Sequence, residues 1–306
     1  MSASEPVNLV MVYAKNALDV EDFEKIARRI KKIANHIQVY IHLDEQPGPE
    51  YLSELEQRKT FVFSPMQLTA FSVNRGRVCA GRPMQKSEQL LRLQLAGVPV
   101  PKWTSLDRGK RFNPEDWGEY VVIKPEIGSR ARGVKILDTK SLNINSSKIM
   151  SFRRQSGNFV VQEIIYNRIF SHVRILMLFS EVLFARQCNF LEDVRFDTEA
   201  DMRNYERLFM TDNTETSNYE SEEVFALARR CVACFDQVPM LGLDVMLDEA
   251  GKPYFLEANP GGNTWHFSSA IRGQRLRKKG IFLETQFDAF NLAGDILAQK
   301  TIELAI

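Results

Sequence analysis

The sequence predicts a mixed α/β (α+β) protein, and three observations carry that prediction. Apolar runs alternate with amphipathic segments from Val7 to Phe63. From Glu119 to Asn259, apolar runs follow one another directly and several are joined by turn residues. Helical periodicity returns in EEVFALARRCVACFDQV and in the C-terminal tail. Alternating strand and helix signals imply a parallel sheet, whereas consecutive strand signals imply hairpins.

The run VNLVMVY (7–13) reads as a buried strand. Asp19 is an N-cap for a helix whose apolar positions are Val20, Phe23, Ile26, Ala27, Ile30 and Ile33. IQVYIHL (37–43), PEYLSELEQR (49–58) and KTFVF (59–63) continue as strand, helix and strand. The first β–α turn, YAKNALD, has no glycine, so the dinucleotide fingerprint G-x-G-x-x-G is missing. This Rossmann-like layout is therefore expected to be a scaffold or a substrate-binding surface. TAFSVNRGRVCAGRP (69–83) predicts a hairpin turning at Asn74-Arg75-Gly76. PMQKSEQLLRLQLAG predicts a helix with Pro83 near its start and Gly97 as its stop. Lys86 falls in the first turn, where unpaired N–H groups favour anions; taken alone it reads first as a solvated surface lysine. Pro99 and Pro101 mark a boundary.

EYVVIKPEIGSRARGVKIL (119–137) reads as strand, loop, strand. Lys124 ends the first strand, and Gly128, Ser129 and Gly133 lie in the loop. Glycines and a serine let backbone N–H groups approach phosphate oxygens, with Lys124 as a point charge. An ordinary glycine-turn hairpin is the other reading, and no Walker A loop is present. FVVQEIIYN (159–167) is a further strand carrying Gln162 and Glu163. HVRILMLFSEVLFARQ (172–187) predicts a hairpin around Ser180-Glu181. Arg174, an isolated charge in an apolar strand, is expected to meet an acid or a phosphate, either as a structural ion pair or at a site. Residues 189–223 read as a polar excursion, in which Arg203 and Asn204 are weak phosphate candidates.

The stretch from Leu241 to Thr264 organises the rest. LDVML and PYFLEA read as a hairpin turning through Asp248-Glu249-Ala250-Gly251. Alternation sends Glu257 and Asn259 to one face, and Asp244 can sit beside them. Two carboxylates and an amide, without thiol or imidazole, suit Mg²⁺, which commonly completes its shell with water and substrate phosphate. A hairpin with polar rim residues is the plainer reading. Thr264, Trp265 and His266 are expected in a loop beside the metal. The basic run from Arg272 to Lys279 reads as a solvated helix face or as a patch for an acidic co-substrate. The tail predicts an amphipathic helix packed on a sheet.

Composition excludes several classes. The 306 residues are 44% hydrophobic and 26% charged, with 40 basic and 39 acidic side chains and a formal charge of +1. That balance offers no basic footprint for nucleic acid or for an anionic membrane. Neither a secretory signal nor a continuous apolar span is evident, so a cytoplasmic protein with no membrane partner is expected. Four cysteines fit reduced thiols. Cys231-x-x-Cys234 lies on a helical pattern without a second ligand pair, and reads as part of a buried helix. No Ser-His-Asp or Cys-His arrangement is evident.

The ordered set Lys86; Lys124 with GSRARG; Gln162-Glu163; Arg174; Asp244; and Glu257-Ala-Asn259-Pro-Gly-Gly resembles the ATP-grasp superfamily. The similarity is greatest to the RimK-like and D-alanine–D-alanine ligase-like carboxylate–amine ligases, and it is most specific from about 119 to 264. The resemblance implies an ATP-grasp fold behind a Rossmann-like pre-grasp domain. The divisions expected are 1–101, a small lid subdomain at 102–165, and a grasp subdomain with the metal site at 166–306. It implies that Lys86 and Lys124 hold the α- and β-phosphates, and that the loop 128–133 closes over the γ-phosphate. Glu163 with Ile164 and Ile165 would recognise adenine. Arg174 would stabilise the transferring phosphoryl group, and Asp244, Glu257 and Asn259 would hold Mg²⁺. ATP and Mg²⁺ are the implied cofactors, with two ions bridged by Glu257 and Mn²⁺ as a substitute. The implied reaction joins a small-molecule carboxylate to an amine through an acyl phosphate, releasing ADP and phosphate, and includes ring closure within one molecule. A kinase acting on a hydroxyl is the alternative. A homodimer is compatible with this reading. His172 stands where family members often carry Asp, and Arg130 and Arg132 stand where their loops carry smaller residues.

Overall fold

Strand β1 (Val7–Tyr13) is buried on both faces, as a central strand of a parallel sheet must be. The computed structural model describes all residues except 1–4, 16–17, 47–50, 107–112, 129–131, 141–157, 168–170, 191–213, 262–263 and 270–271. β1 is flanked by β2 (Ile37–Leu43) and β3 (Thr60–Ser64), and β4 (Arg77–Ala80) lies outside β3, all parallel. Helix α1 (Val20–Ile33) buries Phe23, Ile26 and Ile30 on the side of Leu9 and Met11. Its N-cap Asp19 accepts from the Glu21 amide at 3.3 Å. Helix α2 (Leu52–Gln57) sends Leu55 to the other side, with Val10, Val12, Val62 and Phe71.

The hairpin expected over 69–83 does not form. Only β4 is a strand there, and it pairs in parallel with β3. The preceding loop is held instead by Asp44, whose carboxylate accepts from the backbone of Thr69, Ala70 and Phe71 at 2.7–3.1 Å and from the Thr69 hydroxyl. Those bonds cross 25–27 residues, so no local turn signal could reveal them.

Helix α3 (Lys86–Leu95) runs to Gly97, which adopts φ +66° at the expected stop. A second sheet has the order β5-β8-β6-β7, built from β5 (Trp103–Ser105), β6 (Tyr120–Pro125), β7 (Lys135–Asp138) and β8 (Phe159–Glu163). All of its pairs are antiparallel. The third sheet, ordered β11-β10-β9-β12-β13, comprises β9 (His172–Leu178), β10 (Glu181–Phe190), β11 (Thr214–Asn218), β12 (Met240–Leu247) and β13 (Pro253–Asn259). The β9–β10 turn falls at Phe179-Ser180, with Phe179 at φ +49°.

Helices α4 (Glu222–Val232), α5 (Gly273–Lys278) and α6 (Ala289–Leu304) complete the structure. α4 buries Cys231 against the third sheet, and Cys234 follows the helix with its thiol donating to the Arg230 carbonyl at 3.2 Å. The tail helix α6 packs chiefly on α1, and also reaches β1 and β10. One apolar core therefore spans the first and third sheets, joining Leu9, Phe23 and Phe63 to Leu176, Phe184 and Leu297. Among the described residues no helix is long and apolar enough to cross a membrane.

Candidate active site

Four charged residues stand in register across the third sheet. Arg186 on β10 pairs with Arg174 on β9, Arg174 with Asp244 on β12, and Asp244 with Glu257 on β13. Directly paired residues project to one face. Two cations therefore adjoin two anions over three strand spacings, about 14 Å. A bulge in the β12–β13 pairing lies just after Asp244, between Asp244 and Val245. Bulges re-aim side chains at such places.

Asp244 is the hub. Its Oδ2 accepts from Arg174 Nη1 at 2.7 Å and from Asn259 Nδ2 at 3.2 Å, and its Oδ1 lies 3.3 Å from His172 Nε2. Burial alone would raise the pKa of this carboxyl, but Arg174 and His172 outweigh it and hold Asp244 well below the usual carboxylate range. Asn259 also donates to the Gly242 carbonyl at 3.3 Å. Gly242 has no room for a side chain: a Cβ there would sit 2.4 Å from Thr264 Cγ2 and 3.3 Å from Arg174 Nη1.

The predicted lysines arrive from two other elements. Lys86, almost fully buried, donates from Nζ to the Gly128 carbonyl at 3.1 Å and lies 3.7 Å from Glu257. Lys124 feels Glu257, Lys86 and Asp244, and burial draws its pKa down to about 8. The start of α3 is not open to an anion as expected. Glu126 is buried there, accepting the Ser87 amide at 2.9 Å on its carboxylate and the Lys86 amide at 3.2 Å on its carbonyl. A carboxylate of the chain itself fills the helix terminus, and Lys86 contributes through its ammonium.

Gly128 and Gly133 flank the β6–β7 loop, Gly133 at φ +75°, while Ser129 and Arg130 lie outside the described residues, as do Arg203 and Asn204. At the other end of the hairpin, Glu163, Ile164 and Ile165 line a cleft of about 390 Å³ with Tyr166, Asp248, Glu249, Ala250 and Tyr254. Glu163 anchors this hinge by accepting the Lys102 amide at 2.6 Å. Gln162 is buried beneath it, with its Nε2 3.5 Å from the Leu256 carbonyl. From Asp248 to Asp244 is four residues, about 13 Å of strand, the reach of a nucleotide from base to terminal phosphate.

Trp265 does not sit beside the acidic pair as expected. Its indole donates to buried Asp22 at 2.8 Å and ties the loop to α1. His266 is also buried and stacks on Phe184, and burial together with Arg174, Arg186 and Arg272 pushes its pKa well down.

A Cys-His arrangement, not expected from the sequence, is present. Cys188 pairs with His172 across β9–β10, and His172 bridges Cys188 and Asp244. Burial opposes ionisation of the Cys188 thiol, yet His172 and Arg186 outweigh it and bring its pKa to about 6. Against the effect of burial, hydrogen bonds to Asp244 and Cys188 raise the His172 pKa. Arg186 is a further charged residue of this face not expected from the sequence, although a single charge in the apolar run VLFARQ is the signal that marks Arg174.

A Mg²⁺ ion fits this donor set. Asp244 is held ionised, Glu257 stands directly across from it, and the Asn259 Oδ1 accepts no bond among the described residues. Among the described residues no three His, Cys, Asp or Glu side chains form a metal cage, so an ion here would draw further ligands from phosphate and water.

The chain matches the ATP-grasp domain over residues 84–264, more than half its length, and belongs to that family. No curated protein sequence matches it. Its fold is similar to D-cycloserine synthetase DcsG, at 13% identity and a TM-score of 0.56, covering 96% of this chain and 99% of that one. It is similar as well to D-alanine–D-alanine ligase from Bacillus anthracis complexed with ATP, at 13% identity and TM-score 0.53, covering 98% and 99%. ATP-grasp ligase PsnB, complexed with a phosphomimetic variant of its minimal precursor, Mg and ADP, gives 16% identity, TM-score 0.55 and coverage of 97% and 100%.

Proposed function

We propose that this protein is an ATP-dependent ligase joining a small-molecule carboxylate to an amine. One observation carries the reading: Lys86, Lys124, Arg174, Asp244, Glu257 and Asn259 converge about one nucleotide length from the hinge cleft at Glu163–Ile165. The cleft takes the base of ATP, with Ile164 and Ile165 against its ring and polar contacts from the hinge backbone. Lys86 and Lys124 meet the phosphates, and Gly128, Ser129 and Gly133 cover them. Asp244, Glu257 and Asn259 would hold Mg²⁺, which supplies charge neutralisation at the phosphoryl oxygens. The functional divisions follow the expected limits, 1–101, 102–165 and 166–306.

A carboxylate is a poor electrophile because oxide would have to leave. Attack of its oxygen on the γ-phosphorus breaks the bond to the β-phosphate oxygen, giving an acyl phosphate and ADP. Arg174 lies beside Asp244 and stabilises charge on the transferring group. An amine then attacks the acyl carbon, phosphate leaves, and the amine proton passes to solvent or a nearby base. The loop 128–133 keeps water from the intermediate. The parallel sheet borders this site: the Arg82 amide donates to the Pro260 carbonyl at 2.7 Å, and a Cβ on Gly81 would lie 3.0 Å from the same oxygen. Its edge is therefore placed to shape the substrate side.

The test is a screen of acids and amines in pairs for ADP release. A ligase yields ADP and free phosphate only when both partners, or one molecule carrying both groups, are present, and hydroxylamine traps an acyl hydroxamate. A stable phosphoester product would overturn the assignment in favour of a kinase.

A further inference from the structure

We propose that Arg186 and Arg272 form a subsite for a second anionic group on the acid substrate, one strand spacing beyond the reacting carboxylate. The inference rests on the ligase reading and adds to it a substrate class: a dicarboxylic acid, or a carboxylic acid bearing a phosphoryl group.

Arg186 is among the largest fully buried side chains of the protein, 1% exposed. Its Nη1 contacts Cys188 Sγ, and its Nε has no partner. Cys188 supplies one counter-charge to this buried guanidinium through Nη1, and the unpartnered Nε leaves part of its planar fork for a carboxylate or phosphoryl group. Asp244, two strands away in register, feels this charge but is engaged by Arg174, His172 and Asn259. Arg272, exposed at the start of α5, adds positive charge: it interacts electrostatically with Arg186 and Arg174, and with the negative groups Cys188 and Asp244.

Two further buried groups lack partners on this side, His266 Nδ1 and Thr264 Oγ1, at 5% and 2% exposure. His266 stacks on Phe184, two residues before Arg186 on the same face of β10, and Thr264 abuts Gly242. A polar, cationic cluster thus adjoins Arg174, with buried polar atoms that no described residue satisfies. Arg186 is one strand from Arg174, about 5 Å, which sets the separation of the two anionic groups to that of a short diacid.

The experiment loads the full-length protein with Mg-ADP and titrates glutarate, phosphonoacetate and butyrate by calorimetry. Glutarate or phosphonoacetate is expected to bind at least about tenfold more tightly than butyrate, the ratio charge-assisted bonds support. Arg272→Met, at an exposed position, should reduce that preference about tenfold. Arg186→Lys, checked for folding by thermal unfolding, should reduce it by losing the fork. Equal affinities in protein that binds Mg-ADP would overturn the subsite alone, and so would a diacid preference that survives both substitutions. Failure to bind Mg-ADP would overturn the ligase reading and this inference with it.

Discussion

The first and third sheets share one apolar core yet differ in where they place charge. In the parallel sheet, β1 is closed on both faces, and its buried polar residue is the uncharged Asn8, whose amide nitrogen donates to the Thr60 hydroxyl at 3.3 Å while its Oδ1 has no partner among the described residues. In the third sheet, a face of β9, β10, β12 and β13 carries Arg186, Arg174, Asp244 and Glu257 side by side. Strand formation asks the same of both sheets, apolar residues toward a covered face. Burying the charged row costs free energy that apolar residues would not, and that cost supports the proposal that this face binds a ligand.

Substitutions can break this contrast. The largest effect is expected for Glu257→Ala or Asp244→Asn, where ADP-forming turnover should fall by about 10²–10³-fold or more while circular dichroism shows the fold retained. Normal turnover in either purified variant would sink the metal assignment. In the parallel sheet the balance should invert. Phe63→Ala, at a fully buried position, should cost about 3–5 kcal/mol in urea unfolding, with the folded fraction still binding Mg-ADP.

Gly242→Ala sharpens the comparison within the third sheet. The clash with Thr264 and the crowding of Arg174 should lower turnover by about 10–100-fold through misplacement, with a smaller change in melting temperature than Phe63→Ala. A variant as active as the parent would show that Arg174 need not be held this closely.

Cys188 gives a pH signature. Its folded-state pKa of about 6 lies below the ordinary thiol value of 9.0, so ionisation favours the folded state. The stability advantage of the parent over Cys188→Ser should be complete above the unfolded-state pKa and should be lost as pH falls through about 6. A difference that does not vary with pH would contradict the thiolate. Smallest of all, Glu88→Gln on α3 removes a surface pair to Arg92 at 2.8 Å and should shift stability by no more than about 0.5 kcal/mol.

Most of the strands were legible, because alternation and apolar runs are local. β9, β12 and β13 follow from HVRILML, LDVML and PYFLEA, and the pairing of Asp244 with Glu257 follows from one short hairpin. β4 departs from the expected hairpin because RVCA carries no mark of whether it pairs with its neighbour in sequence or with β3. The helix start at Lys86 was visible, but its occupant, Glu126, lies 39 residues away from Ser87. Arg174 was legible as a charge that needs a partner. Arg186 carries the same signal, but which charges become neighbours depends on strand order.

By itself, then, the chain determined the types of its elements, the hairpin that sets two carboxylates and an amide on one face, and the order of motifs that marks an ATP-grasp protein. Tertiary structure decided that β9 lies between β10 and β12, and so that Arg174 reaches Asp244 while His172 joins it to Cys188. The physical reason is range. Periodicity fixes which way a side chain points, but only long-range pairing fixes what it points beside.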